Sequence, residues 1–270
     1  MSESQPSKVF MFDNSDPEMQ RAYENARANF RYFWRECYWE GRRIIPGLDL
    51  ACVKAPFSDG ENAKQKPDGP AVEQMWIGEV DFDGQLVSGS LINSPNWLKT
   101  IKAGDRAQFK LNEITDWMYG ISGEVFGAYT VNLMRSRMGK RERAEHDAAW
   151  GLDFGDPTKI RVVPGAKQTG GFLKNWFGGG KAQSEEHPMS ENMAPSLKQQ
   201  IADSPSMVTL KDDRGWTFLH QLSLAGSTAG VKILLDAGSD RNALTDNGMT
   251  ALALAKTLNW DRIVALLEAN

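Results

Sequence analysis

A spacing of 33 residues runs through the last part of this 270-residue chain and limits what that part can fold into. Gly215-Trp216-Thr217-Phe218-Leu219-His220 is answered 33 positions later by Gly248-Met249-Thr250-Ala251-Leu252-Ala253. Val231 and Val264, Leu234 and Leu267, and Asp213 and Asp246 keep the same offset without a gap. A period of this length is one supersecondary unit, too small to bury an apolar face by itself, so adjacent copies must stack. Thr217 and Thr250 stand where a helix would start, and their hydroxyls can satisfy free backbone N–H groups. Leu219 and Leu252 are expected to face inward. Ile233, Leu234 and Leu235 should build a second helix that Gly238 ends.

The TFLH of the first copy and the TALA of the second resemble the ankyrin repeat, over about residues 212–270. The resemblance implies an all-α ankyrin-repeat module that holds another protein through a concave face and exposed turns. The partner-binding residues it points to are Trp216, Phe218, Arg241, Asn242, Leu244 and Asp246. It gives His220 a structural role, bonding between neighbouring repeats. Two repeats are few for an isolated stack. A step of 33 residues back from Leu234 lands on Ile201, inside a helix-like stretch from Pro195 to Asp203. A degenerate half-repeat is expected there, with the earlier part of the chain packed against the open end of the stack.

That earlier part reads as α+β. Ser15-Asp16-Pro17-Glu18 has the form of a capping box with Ser15 as the cap. Met19, Tyr23, Ala26, Phe30, Phe33 and Cys37 then recur at helical spacing, which predicts one helix from about Asp16 to Glu40 ended by Gly41. Strand signals follow: Leu48 to Lys54, Met75 to Phe82 with Trp76, Val80 and Phe82 on one side, and Gln85 to Asn93 after a turn at Asp83-Gly84. Arg106 to Leu111 alternates with Ala107, Phe109 and Leu111 inward, and Ile114 to Tyr119 is the last of the group. A second helix is expected over about 126–143, irregular chain over 148–164, and a further short strand at Ile160 to Val163. Neighbouring strands joined by short turns make an antiparallel β-meander sheet with flanking helices and disfavour a crossover sheet. The Gly-rich run at 170–181 lacks phosphate-loop spacing. Its apolar Phe172, Leu173, Trp176 and Phe177 are expected to dock on a neighbouring surface. The expected organisation is 1–164, a Gly-rich linker at 165–194, and the repeat module at 195–270.

Several motifs of the first part resemble the YegJ-like family of bacterial proteins of unknown function. They are Glu73 through Val80 around Trp76, Asn93-Ser94-Pro95, Gly104-Asp105, Ile114-Thr115-Asp116-Trp117, and Gly123 to Thr130, together covering about residues 17–140. The resemblance implies a small α+β fold and a bacterial source, and it carries no reaction.

No catalytic constellation stands out. Asp116 beside Trp117 is a candidate ligand carboxylate, weighed against a fold-defining role bonded to backbone N–H groups. Glu124 is a second candidate. Glu145-His146-Asp147 sets acids beside a histidine, but neighbours on a helix do not face one another. His187 lies in a polar run near Glu185 and Glu186, without the other ligands that a metal needs. Arg135, Arg137, Lys140, Arg141 and Arg143 form a basic cluster expected to serve a helix C-terminus, or else an acidic partner. Cys37 and Cys52 read as buried small apolar residues. Neither cofactor nor metal is expected. A net charge of −4 argues against a nucleic-acid partner. The start, MSESQPSKVFMF, lacks a basic-then-apolar run and no stretch reaches 18 apolar residues, so neither an export signal nor a membrane span is expected and a cytoplasmic location is.

These features favour a non-enzymatic protein-binding protein, in one concrete version a bacterial immunity protein that neutralises a toxin. The alternative is an enzyme or small-ligand-binding α+β domain with the repeats as a targeting module.

Overall fold

A computed structural model describes residues 16–60, 70–165 and 186–269. Helix α1, Pro17–Ala28, starts where the Asp16 carboxylate accepts the Glu18 N–H at 2.9 Å and Pro17 fills the first helical position. The expected cap, Ser15, lies outside the described residues. The single helix expected to Glu40 is in fact two. Asn29 leaves the helical path at φ −106°, and its side-chain amide donates to the Asn25 carbonyl at 2.9 Å. A short polar side chain that bonds its own backbone competes with helix continuation. Helix α2 then runs Phe30–Glu40.

Six strands form one antiparallel sheet: β1 Leu50–Phe57, β2 Glu73–Phe82, β3 Leu86–Leu91, β4 Arg106–Lys110, β5 Asp116–Ile121 and β6 Glu124–Gly127, in the order β4-β3-β2-β1-β5-β6. The meander therefore holds for β1 to β4 only. The chain then crosses to the free edge of β1, so that β5 pairs with β1, Lys54 opposite Asp116. Strand β2 does not keep Trp76, Val80 and Phe82 on one side. A bulge between Gly78 and Asp81, with Glu79 at φ 49°, inserts one extra residue and shifts the alternation. Phe82 thereby joins Met75 and Ile77 on the face under α2, and Trp76 packs with Cys52, Met118 and Val125 on the other.

The helix expected over 126–143 is also divided. Residues 124–127 are β6, and Gly127 and Ala128 turn the chain with φ of 76° and 57°. A Cβ at Gly127 would stand 2.4 Å from the Trp117 ring, so only glycine fits the crossing. Helix α3, Tyr129–Arg137, and α4, Lys140–Trp150, follow, separated at Met138-Gly139. Ile160–Val163 is not a strand, although the Arg161 carbonyl accepts the Gly127 N–H at 2.7 Å.

The rest is helical: α5 Pro188–Asp203, α6 Phe218–Leu224, α7 Thr228–Asp236, α8 Ala251–Thr257 and α9 Asp261–Glu268. Residues 188–194, expected as linker, are the first turns of α5, while the apolar residues 172, 173, 176 and 177 lie outside the described residues. Helices α6 and α8 lie side by side, and α5, α7 and α9 form a second layer behind them. Gly215 and Gly248 open the two copies at φ 70° and 73°. Leu219, Leu234 and Leu267 are buried as expected, and Leu252 is half-buried.

The sheet part and these helices share one apolar cluster. The outer side of α2 lies on them. Tyr32 meets Trp260 edge to face at 6.3 Å, Arg31 donates to the Asn259 carbonyl at 2.7 Å, and Arg42 donates to Gln221 at 2.9 Å. The β2–β3 turn touches α8 so closely that a Cβ at Gly84 would stand 2.3 Å from a Leu254 methyl carbon. The two regions are thus closely packed against each other. A chain ending at Lys211 would bare Tyr32, Trp34 and Phe82. It is expected to melt roughly 10 °C below the full chain, the shift for about 3–4 kcal/mol in a fold of this size. Thermal melts followed by near-ultraviolet circular dichroism check this, and an unchanged midpoint would show that the contact contributes nothing.

Candidate functional site

The turn that joins the two repeats is built from short-range bonds. The Asp240 carboxylate accepts the Asn242 N–H at 2.9 Å, and the Thr245 hydroxyl accepts the Met249 N–H at 3.0 Å. His220 ties this turn to the first repeat. Its Nδ1 accepts from the Thr217 N–H at 3.1 Å and its Nε2 faces the Ala243 carbonyl at 2.9 Å, which fixes the neutral Nε2–H tautomer. The expected inter-repeat role is what the geometry shows. In the second copy Ala253 occupies that place, and Thr250 alone caps α8 by accepting the Ala253 N–H at 3.1 Å. Burial holds the His220 pKa below its ordinary value, more strongly than the bond to Ala243 raises it.

The six residues expected to grip a partner do not form one surface. Trp216 is buried, with Arg214 over its ring, in the seam against α2 and β2. It is unavailable to a partner because the chain's own first part covers it. Phe218 is half-buried in a groove with Trp39 and Met193. Arg241 is half-buried and donates to the Ala269 carbonyl. Asn242, Leu244 and Asp246 are exposed, Leu244 at 50%. Lys211 donates to the Leu244 carbonyl at 2.9 Å, and its chain neighbour Leu210 is 60% exposed.

Asp116 is fully buried and joins β5 to α3. Its carboxylate accepts the backbone N–H groups of Trp117, Tyr129 and Thr130 at 2.8–2.9 Å and the Thr130 hydroxyl at 2.5 Å. Lys54 donates to the same hydroxyl at 3.1 Å. Burial pushes the Asp116 carboxyl up, and the charge of Lys54 opposes it. Every one of these bonds runs to β5 or to the start of α3. Trp117, equally buried, donates to the Ala26 carbonyl at 2.6 Å and packs on Phe33. Glu124 lies exposed on the edge strand, 3.8 Å from Arg161, so these residues line no common site.

The basic cluster is dispersed by the fold. Arg135 is buried: it clamps Asp147 through two bonds of 2.8 and 2.6 Å and donates to Asn132 and the Gly155 carbonyl. Arg137 pairs with Asp16 and Glu18, and Arg143 donates to the Arg135 and Met138 carbonyls, as a cation at a helix C-terminus should. Arg137, Lys140 and Arg141 are left on the surface of that set, Arg137 and Arg141 in ion pairs with acids of this chain. His146 does reach Asp147, at 2.9 Å, against the expectation for adjacent residues: the ring lies along the helix between Phe154 and Trp150. His187 is not in solvent. It caps α5 by accepting the Met189 N–H, stacks on Trp39, and faces the buried Glu36 at 3.2 Å. Among the described residues no group of three or more His, Cys, Asp or Glu is placed to hold a metal ion, and no helix is long and apolar enough to cross a membrane.

Sequence reasoning missed the cleft at the seam, where Trp34 and Tyr38 on α2 face Trp216 and Leu224 of the first repeat. The available signal was the aromatic run of α2, whose six aromatic rings are spread round the helix and so are covered on more than one side.

Comparison with known proteins fits this layout. Residues 16–154, which carry all six strands and α1 to α4, match a family described as an uncharacterized protein conserved in bacteria (DUF2314). A Neisseria meningitidis serogroup B protein, whose name describes it as an ankyrin repeat protein, is 38% identical over 263 residues, 97% of each chain. The uncharacterized protein YegJ of Escherichia coli is 26% identical over 97 residues, 36% of this chain and 58% of its own.

Two outcomes follow from the geometry. Asp116→Ala leaves three buried N–H groups without an acceptor and is expected to cost about 3–5 kcal/mol of stability, read from urea unfolding. His220 binds protons more weakly folded than unfolded, so its contribution is complete above pH 6.5 and is lost as pH falls from there toward its lowered folded pKa. The urea midpoint should drop between pH 7.5 and about 5.5, and His220→Gln should flatten that drop. A midpoint that falls equally in both proteins would assign the titration elsewhere.

Proposed function

We propose, from the premise that this chain belongs to the DUF2314 family of bacterial proteins, that it is a non-enzymatic protein-binding protein whose contact surface is the outer turns of its repeats. What supports the reading is the division of the repeat surface. The layer of α6 and α8 and the residues Arg214 and Asn247 lie against the chain's own first part, through Asp81 at 3.0 Å and Asp83 at 3.3 Å. The turn residues Asn242, Leu244 and Asp246 are exposed, and an exposed leucine rimmed by polar groups is the usual composition of a contact patch. In this proposal the repeat module begins with α5, which packs on α7 as α7 packs on α9.

The narrower form of the proposal is an immunity protein: the bound protein is a bacterial toxin, and binding covers its active surface. It rests on the repeat type and on the bacterial family alone.

Affinity capture with the tagged full chain from its host's extract tests both. Leu244→Glu with Asp246→Lys should reduce the captured protein roughly tenfold or more while the melting midpoint stays that of the parent. Equal capture by the variant would remove the turn surface from consideration. Expression of the captured protein alone in a heterologous host then decides the narrower form. Growth arrest relieved by this chain supports it, and normal growth rules it out while leaving the binding function standing.

A further inference from the structure

Resting on the contact surface proposed above, we infer that the protein bound there presents a positively charged face, and that the turn between β2 and β3 belongs to the surface together with the two repeat turns. Bonds between distant segments bring these turns together. Arg214 of the first repeat turn pairs with Asp81 at 3.0 Å, and Asn247 of the second donates to Asp83 at 3.3 Å. The Asp246 N–H donates to the Arg214 carbonyl at 3.1 Å, and Lys211 donates to the Leu244 carbonyl at 2.9 Å. Asp81, Asp212, Asp213 and Arg214 line one open depression of about 430 Å³. Leu244 stands 50% exposed beside these groups, and an exposed leucine of this kind calls for an apolar recess in whatever covers it.

The charge of this surface decides what fits it. Asp81, Asp83, Asp212, Asp213 and Asp246 meet Lys211 and Arg214 there, five acids against two cations, which leaves a net charge of −3. The whole chain carries −4, so the rest of the molecule is close to neutral and the excess is concentrated here. Among the described residues, Asp81 with Arg214 is the one ion pair of the set. Asp83 and Asp212 accept N–H groups of their own turns, and Asp213 and Asp246 are exposed. Carboxylates crowded in this way repel one another, and a cationic face laid over them relieves the repulsion. A second copy of this chain would set like charge against like charge, and a nucleic acid would be repelled in the same way. The occupant that fits is a protein whose Lys and Arg side chains surround an apolar pocket for Leu244. Asp81 and Asp83 come from the sheet part, so the repeats alone present only part of this face.

The protein captured by the tagged full chain, once purified, is the probe. Its affinity for the full chain is measured by calorimetric titration at about 50 and about 300 mM NaCl. The variants are Asp213→Lys in the repeat turn, Asp81→Lys in the β2–β3 turn, and Glu142→Lys on α4 as a control with the same change of charge. The affinity should fall roughly tenfold or more between the two salt concentrations, and by roughly tenfold in each aspartate variant at the lower one. Glu142→Lys should bind as the parent does, and all variants should keep the parent melting midpoint; should Asp81→Lys melt lower, Asp81→Asn takes its place. Equal affinity at both salt concentrations, or parent affinity in both aspartate variants, would overturn the charged-face inference while leaving the contact surface standing. Parent affinity in the Asp81 variant alone would remove the β2–β3 turn from the surface. No captured protein, or capture that Leu244→Glu with Asp246→Lys does not reduce, would overturn the contact surface and this inference together.

Discussion

Helix α2 is the element on which the rest of the molecule depends, because it is buried on two sides at once. One side presents Phe30 and Phe33 to the sheet, where they meet Phe82 and Trp117. The other presents Tyr32 and Trp39, with Arg42 just past its end, to the region that follows, where they meet Trp260, His187 and Gln221. A surface helix carries one apolar stripe; a helix with aromatic rings spread round it must be covered twice. Two ankyrin-type repeats bury too little to stand alone, and a sheet with one bare helix on it would be no better. Each part lends α2 the cover that it lacks.

That burial explains how polar groups are arranged at the seam. Arg35 and Glu36 are both nearly inaccessible and lie 2.9 Å apart, with His187 completing the set. Burial pushes the Glu36 carboxyl up, but the bond from His187 and the charge of Arg35 outweigh it and hold the group below its ordinary value. A buried ion pair of this kind contributes little net stability, yet removing one partner is costly, so it specifies how the parts meet more than it strengthens their union. Asp116 and Arg135 do the same inside the first part. Each charge is surrounded by bonds to chain segments distant in sequence, and each pins a turn that periodicity alone would not hold.

Much of the architecture could be read without coordinates. The repeat register and the inter-repeat role of His220 depend on residues within one or two repeats. The turns at Asp83-Gly84 and Gly104-Asp105 depend on four or five neighbours. Cys52 in its strand was legible for the same reason. The breaks at Asn29 and at Met138-Gly139 were not, because each lies within a stretch of otherwise continuous helical spacing. The phase shift in β2 was hidden as well: a bulge leaves the residue pattern apolar and moves only which side faces in. The candidate partner surface was half legible. Leu244 and Trp216 are both apolar residues near repeat turns, and one is exposed while the other is sealed by α2 and β2.

The sequence by itself determined that two copies of a 33-residue unit stack beside an antiparallel sheet, and which leucines of the repeat helices face inward. Hydrophobic periodicity is local, so a single strand of text carries it. Only the tertiary structure decided what covers each face. The crossing of β5 to the far side of β1, the burial of Trp216, and the cleft between Trp34, Tyr38 and the first repeat all arise from contacts between segments far apart in the chain. Such contacts depend on shape complementarity and chain connectivity together, and no spacing rule within one element encodes them.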